Sequence, residues 1–360
     1  MKKDRRKFFT SISLATAGII GSGFIPKKAH AEKKVKWKMV TSWPKNFPGL
    51  GAGAETLANY INQLSGGTLK IKVYGANELV PPLGVFDFVS SGGAEMGHSG
   101  AYYWKGKTEA AQFFSSVPFG MNAQEMNSWL YYGNGIKLWE EVYENFNLVP
   151  RPAGNTGVQM GGWFNKEINS TEDLKGLKMR IPGLGGEVLA RAGGTPFTLA
   201  GAEIFTSLQT GVIDATEWVG PYNDRAFGLH RAAKFYYYPG WHEPGPSLEC
   251  IINKDAYNQL SDQHKSIIDI ACQAANVDMI SDYISKNYQA LEYFKQENVQ
   301  IKQFPIEVLS KLNDISDEIL LELSQKNSLS KKVYDSYVDF LQRVRPWTMI
   351  SEDSYLNSFK

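Results

Sequence analysis

Arg180, Glu217, Glu243 and Gln159 have residue types and surroundings suited to holding a small anion together with a cation. Arg180 ends the run Gly176-Leu177-Lys178-Met179 and precedes Ile181-Pro182-Gly183. An arginine at the carboxyl end of a parallel strand faces the crevice where α/β proteins hold ligands, and its planar fork matches a carboxylate. Glu217 lies in Ile213-Asp214-Ala215-Thr216-Glu217-Trp218-Val219-Gly220-Pro221. An acid beside tryptophan in a short run closed by Gly-Pro is expected to be partly buried, and a buried charge needs a partner or a cation. Glu243 follows Trp241-His242 and precedes Pro244, and Gln159 sits among Gly157, Gly161 and Gly162. Two carboxylates and an amide oxygen are hard ligands that suit Na⁺ or Ca²⁺. Each of these side chains alone is ordinarily a solvated one, so the reading depends on their meeting in one cleft.

Other chemistry finds little support. Gly183-Leu184-Gly185-Gly186 resembles a phosphate loop, but Val188 stands where G-x-G-x-x-G needs its last glycine. His242-Glu243 lacks the second histidine of H-E-x-x-H, and Gly97-His98-Ser99-Gly100-Ala101 misses G-x-S-x-G at its last position. The histidines after position 31 (His98, His230, His242 and His264) are widely spaced. Two cysteines are too few for a disulfide scaffold or an iron–sulfur cluster. Cys250 and Cys272 are either a disulfide or two buried thiols. With 38 basic against 37 acidic residues, a nucleic-acid partner is not expected, and 43% hydrophobic residues exclude a disordered chain.

The elements that must position these residues are those of an alternating α/β chain followed by helices. Residues 35–43 read as a strand, 49–64 as a helix, 68–74 as a second strand, a helix through Phe86 and Val89 follows, and 94–97 form a third strand, a spacing that implies parallel pairing with crossover helices. A second cycle has strands at 156–164, 177–181 and 196–198, helices at 185–191 and 202–209, and an extended run at 213–218. Gly- and Pro-rich joints at 150–157 and 239–246 separate the cycles, and 247–252 is a strand returning to the first. Residues 261–297 contain no helix breaker. Ile267, Ile270, Ala274, Val277, Ile280, Ile284, Tyr288 and Leu291 recur at helical spacing and define one apolar face, and a helix of that length spans both lobes. Residues 299–304 read as a final strand. Two further stripes (Val308, Leu312, Ile315, Ile319, Leu323; then, after a Ser328 cap, Val333, Tyr337, Phe340, Val344) are helices, the second stopped by Pro346. Their apolar faces dock either on the lobes or on a partner chain.

The first 31 residues have a basic start, a Gly-diluted apolar run over residues 12–25 and Ala29-His30-Ala31, the pattern of a cleavable export peptide. Arg5-Arg6 followed by Lys7-Phe8-Phe9 fits the twin-arginine class. The apolar run is shorter than the roughly 20 residues that span a bilayer. Cleavage after Ala31 leaves a chain of net charge −5 in the periplasm.

The leader, the opening Lys38-Met39-Val40-Thr41-Ser42-Trp43-Pro44, the segment Asp173-Leu174-Lys175-Gly176-Leu177-Lys178-Met179-Arg180 and Asp214-Ala215-Thr216-Glu217-Trp218 closely resemble the extracytoplasmic solute receptors of TRAP transporters, in the branch that binds 2-oxo acids and lactate. The resemblance implies a two-lobed periplasmic binding protein of α/β class with a long helix spanning both lobes and extra C-terminal helices. Lobe I covers 32–154 with 247–304 returning, lobe II covers 155–246, and 305–360 form a C-terminal helical segment that dimerises some relatives by helix swapping. It further implies that Arg180 salt-bridges the ligand carboxylate. A Na⁺ or Ca²⁺ is held by Gln159, Glu217, Trp218 through its backbone carbonyl, and Glu243. Asn155 and one of the pair Tyr102 and Tyr103 act as ligand donors. The partners implied are a small carboxylate, the TRAP membrane permease and a second copy of the chain, with no catalysis. A 2-oxo acid chelates one cation through a carboxylate oxygen and its keto oxygen. One Arg against two Glu and the ligand favours a divalent ion if both Glu are ionised, and the metal stays open. The competing readings are a dicarboxylate receptor, which needs a second cationic group, and an enzyme exported by the twin-arginine route.

Overall fold

The computed structural model describes residues 34–359, so the export-peptide reading of residues 1–31 lies outside the described residues. The chain opens as the sequence pattern predicts. Strand β1 (Val35–Thr41), helix α1 (Leu50–Leu64), strand β2 (Leu69–Tyr74), helix α2 (Val85–Ser90) and strand β3 (Met96–Ser99) follow one another, and β1 lies parallel to both β2 and β3. Trp37, Met39, Ile71 and Val73 alternate inward on β1 and β2 and pack on Ala54, Leu57, Ala58 and Ile61 of α1, the period-2 strand face meeting the period-3.6 helix face. Helices α3 (Ala123–Tyr132) and α4 (Gly135–Tyr143) lead to strand β4 (Leu148–Asn155).

Strand β4 ends the first part and the chain passes to a second sheet. There β5 (Gly162–Phe164), β6 (Lys178–Arg180), helix α5 (Gly183–Arg191), β7 (Thr195–Phe197), helix α6 (Gly201–Gln209), β8 (Ala215–Thr216), helix α7 (Pro221–Phe227) and β9 (Phe235–Tyr238) follow. Strand β10 (Ser247–Asn253) returns to the first sheet, whose order is β2-β1-β3-β10-β4 with β10 antiparallel to both neighbours. The short helix α8 (Lys254–Asn258) and the 35-residue helix α9 (Asp262–Gln296) come next, then β11 (Gln300–Gln303) and helices α10 (Ile306–Gln325), α11 (Ser328–Thr348) and α12 (Ser354–Asn357). The second sheet has the order β11-β9-β5-β8-β6-β7. At 1.5 Å per residue α9 is about 52 Å long. Its first half packs Ile268, Ala271, Cys272 and Ala275 beneath the first sheet, and its second half packs Met279, Tyr283 and Phe294 with Trp163 and Tyr236 of the second. Both cysteines are buried free thiols. No helix of the described residues is long and apolar enough to cross a membrane.

The structure departs from the sequence expectations at five places. The strand expected at 156–164 is displaced: β4 ends at Asn155, and 156–161 is a loop between the sheets, because Gly157 takes φ of 73° and breaks the extended run. Residues 300–303, expected with the returning part of the first lobe, pair instead with β9 of the second sheet, since α9 ends beside it. The apolar stripe of α9 is not one buried face: Ile270, Val277, Ile284 and Tyr288 are more than half exposed, and burial belongs to the adjacent stripe of Ile268, Ala271, Cys272, Ala275, Met279 and Tyr283. Pro346 does not stop α11 but lies within its last turn. That helix is capped at its start by Asn327, whose side chain accepts from the Ser330 amide at 2.8 Å in place of the expected Ser328 cap. The C-terminal stripes do dock on the chain itself, with Val308, Leu312, Ile315, Val333 and Tyr337 in the core that contains Phe113 and Trp129.

Candidate functional site

Strands β6 and β8 are parallel neighbours with Arg180 opposite Thr216. Arg180 is the last residue of β6 and Glu217 the first beyond β8, so both side chains leave the sheet at its carboxyl edge, where α/β ligand crevices form. The Glu217 amide donates to the Arg180 carbonyl at 3.2 Å, which sets their backbones side by side. The guanidinium is then surrounded. Nε donates to the Leu199 carbonyl at 3.3 Å, Nη1 to the Glu217 carbonyl at 3.2 Å and to the Glu217 carboxylate, and Nη2 to the Tyr103 hydroxyl at 3.3 Å. Its carbon lies 5.1 Å from the Trp218 ring centroid. Burial, the largest single influence, opposes the charge on Arg180, but Glu217 together with Tyr103, Tyr102 and Glu243 outweighs it and holds the guanidinium pKa above its ordinary value. Five N–H groups and these four bonds leave one Nη2 hydrogen for a further acceptor.

The opposite wall comes from the two joints between the sheets, which run side by side. The Gln159 amide donates to the Glu243 carbonyl at 3.1 Å, and the Gly240 amide donates to the Gln159 carbonyl at 2.9 Å. The Gln159 side-chain nitrogen donates to Glu243 Oε2 at 2.7 Å and to the Thr156 hydroxyl at 3.0 Å. Gln159 Oε1 is thereby left buried without a partner, as are Glu217 Oε2 and both ring nitrogens of His242. His242 Nε2 stands 3.4 Å from Glu217 Oε2. Ligating atoms of Glu217, His242 and Glu243 lie within 4.8 Å of one another, all three residues being buried. Burial first, and the facing Glu217 second, push the Glu243 carboxyl well above the usual range. Buried polar atoms are normally paired, and a cluster of orphaned oxygens between two carboxylates is the donor set of a hard cation. The residues present therefore fit such an ion.

Gly162, on β5, lets this arrangement close. It has φ of 119°, and a Cβ there would meet the Thr216 carbonyl at 2.5 Å and the Glu217 Cα at 3.2 Å, so only glycine lets β5 pass so near Glu217.

The structure thus brings Arg180, Glu217, Glu243, Gln159, Trp218, Tyr102 and Tyr103 together. Tyr103 reaches Arg180 directly, while Tyr102 packs edge-on to it with ring centroids 4.6 Å apart. Burial raises the pKa of both phenols, which stay neutral donors. Asn155 clasps the two joints together: its Nδ2 donates to the Gly245 carbonyl at 3.1 Å and its Oδ1 accepts from the Gly157 amide at 2.8 Å. Sequence reasoning missed His242 and Thr156 as members of the site. His242 adjoins Glu243, and its absence from any paired-histidine pattern hid it; nothing in the sequence marks Thr156. Two buried carboxylates beyond the site hold its walls. Asp224 accepts from Trp163 at 2.9 Å, Tyr236 at 2.7 Å and the Val219 amide at 3.2 Å, next to Trp218. Glu249 accepts from Tyr143 at 2.8 Å and from Trp104, the residue after Tyr103. Burial pushes each of these two carboxyls up to about 7.

Residues 39–327 match the profile of DctP, bacterial extracellular solute-binding protein family 7. The chain is 45% identical over 323 residues, 90% of this chain and 88% of the other, to the monocarboxylate 2-oxoacid-binding periplasmic protein of Nostoc sp.. A TRAP periplasmic solute-binding protein of Colwellia psychrerythraea, solved with calcium and pyruvate, aligns with TM-score 0.88 at 43% identity over 91% of this chain and 100% of that one. One from Pseudoalteromonas atlantica, solved with sodium and pyruvate, aligns with TM-score 0.89 at 43% identity and the same coverage. A TRAP transporter solute-binding protein of Bordetella bronchiseptica, a mixed-occupancy dimer with calcium and picolinate in one site, aligns with TM-score 0.89 at 35% identity over 91% of this chain and 97% of that one.

Proposed function

The chain belongs to the bacterial extracellular solute-binding protein family 7, and from that premise we propose that it captures a small 2-oxo or 2-hydroxy monocarboxylate, with pyruvate as the representative, together with Na⁺ or Ca²⁺, for delivery to a TRAP permease. The observation that carries this reading is the meeting of orphaned buried oxygens of Gln159 and Glu217 with Glu243, beside a buried arginine with one N–H to spare. The 2-oxoacid and pyruvate ligands of the similar receptors support it.

In this mechanism Arg180 gives its remaining Nη2 hydrogen to the ligand carboxylate while Glu217 keeps the guanidinium charged and oriented. Tyr103, and Tyr102 behind it, donate toward the same anion. Gln159, Glu217, Glu243 and the Trp218 carbonyl would hold the cation, and His242 offers a further nitrogen at that wall. When bound, the cation would supply a second positive charge, beside Arg180, for the oxygens of a 2-oxo acid. Asn155 holds the two joints in register as the lobes, 32–154 with the returning strand and 155–246, close over the ligand. Trp43 and Trp218 keep water out, which strengthens every charge pairing inside. The outcome is binding and release without turnover. We assign residues 1–31 to a twin-arginine export peptide cut after Ala31, and the mature protein to the periplasm. Trp347, Ile350 and Leu356, each more than 60% exposed on the last helical turns, are the surface through which two copies pair as a homodimer.

Titration calorimetry tests the central reading. Pyruvate is expected to bind the protein in sodium or calcium buffer and to bind at least about tenfold more weakly after chelation in sodium-free buffer. Failure of pyruvate, lactate and longer 2-oxo acids to bind under any of these conditions refutes it.

A further inference from the structure

We infer that the outer face of β1 and β2 is a docking shelf for an anionic phospholipid surface. The two strands run parallel with Lys36 opposite Lys70 and Lys38 opposite Lys72, so four ammonium groups stand on one sheet face while the intervening Trp37, Met39, Ile71 and Val73 point into the core. Lys45, from the loop beyond β1, adds a fifth, its ammonium 3.9 Å from the Glu78 carboxylate. These lysines line a concavity of about 550 Å³ with Tyr74, and Glu55 is the single acid lining it. Among the described residues Lys36 and Lys70 have no carboxylate in ion-pair reach. Lys72 lies over the Tyr74 ring at 4.7 Å, and Lys38 donates to the Gly93 carbonyl at 2.7 Å.

Like charges placed directly across a strand pair cost stability. Guarding a sheet edge against aggregation accounts for lysines on β2, which is the edge strand. It does not account for those on β1, which is paired on both sides. The five lysines face Glu55 and Glu78, so an excess of three positive charges stands over β1 and β2 in a chain whose net charge from Glu32 onward is −5, a local device for a negative partner. Lysine rather than arginine supplies it. Point charges on flexible stems suit many phosphates in no fixed geometry, where bidentate pairing with a protein carboxylate would favour arginine. A receptor that hands its ligand to a membrane permease gains encounters by moving along the bilayer surface. This last argument rests on family membership, not on which acid is bound.

The test is co-sedimentation of the exported, processed protein with vesicles of phosphatidylcholine alone or with one-third phosphatidylglycerol, at low and at physiological salt. Binding to the anionic vesicles is expected to exceed binding to neutral ones at least tenfold at low salt and to fall with salt. The variant Lys36→Glu/Lys70→Glu/Lys72→Glu is expected to lose that excess. A control with equal charge change, Lys311→Glu/Lys326→Glu/Lys331→Glu on α10, α11 and the turn between them, is expected to keep it. Pyruvate affinity of the shelf variant, unchanged from the parent, reports that its fold is intact; should pyruvate bind neither protein, circular dichroism serves instead. Equal binding to both vesicle types, equal loss in the control, or binding to polyglutamate but not to vesicles overturns the proposal.

Discussion

Arg180 and Glu217 leave neighbouring parallel strands at the same edge and pair with each other, both side chains 1% exposed. Each therefore answers the other's burial, and the ligand meets a charge already oriented. Breaking such a pair by removing one member leaves a lone buried charge and costs about 3 to 5 kcal/mol. Arg180→Met is thus expected to lower the unfolding free energy by that order and to weaken pyruvate binding at least about a hundredfold. Arg180→Met/Glu217→Gln is expected to recover most of the stability and none of the binding. Denaturant unfolding with calorimetry checks both, and retained affinity in the double variant would refute the role of Arg180.

Gln159→Leu keeps the size of the side chain but removes both the Glu243 bond and the orphaned Oε1. Pyruvate affinity should fall about tenfold or more, and the sodium or calcium concentration needed for half-maximal binding should rise. Loss of affinity with unchanged cation dependence would place Gln159 outside the cation's ligands.

Gly162→Ala adds a Cβ against the Thr216 carbonyl at a positive φ. Stability should drop by more than about 1 kcal/mol, and pyruvate affinity should fall because Glu217 is displaced. A variant as stable as the parent would show that β5 can move away.

Glu249, buried and pushed up to about 7, binds its proton more tightly in the folded than in the unfolded chain. Its contribution is therefore present in full below the unfolded value near 4 and is lost as pH rises toward 7, by roughly 3 kcal/mol at 1.36 kcal/mol per pH unit. His98, pushed down to about 4 by burial, acts in the opposite sense, its contribution being lost as pH falls from about 6.5 to 4. Comparing Glu249→Gln with the parent cancels His98. The stability difference between them should change by that order between pH 4.5 and pH 7.5, and a constant difference across the range would show that Glu249 has an ordinary pKa.

Trp347→Asp/Ile350→Asp/Leu356→Asp should give a monomer by light scattering with pyruvate affinity retained. Point changes serve better than deletion from Val308, which would uncover the buried stripe of α10. An unchanged dimer mass would move the interface elsewhere.

Sequence alone determined the α/β alternation, the unbroken α9 and the residue types of the site, because periodicity, glycine stops and strand-end position are local properties. It could not distinguish the buried stripe of α9 from its exposed neighbour, since both are apolar at helical spacing and only the surfaces facing the helix choose between them. Nor could it assign Asn155, whose amide both joints use, or recruit His242, which acquires its meaning from a carboxylate 25 positions earlier in the chain, Glu217. Tertiary structure decided these because convergence of distant segments, not composition, sets which polar atoms are left without a partner. The proposed ligand and cation are read from those unpaired atoms together with the similar receptors.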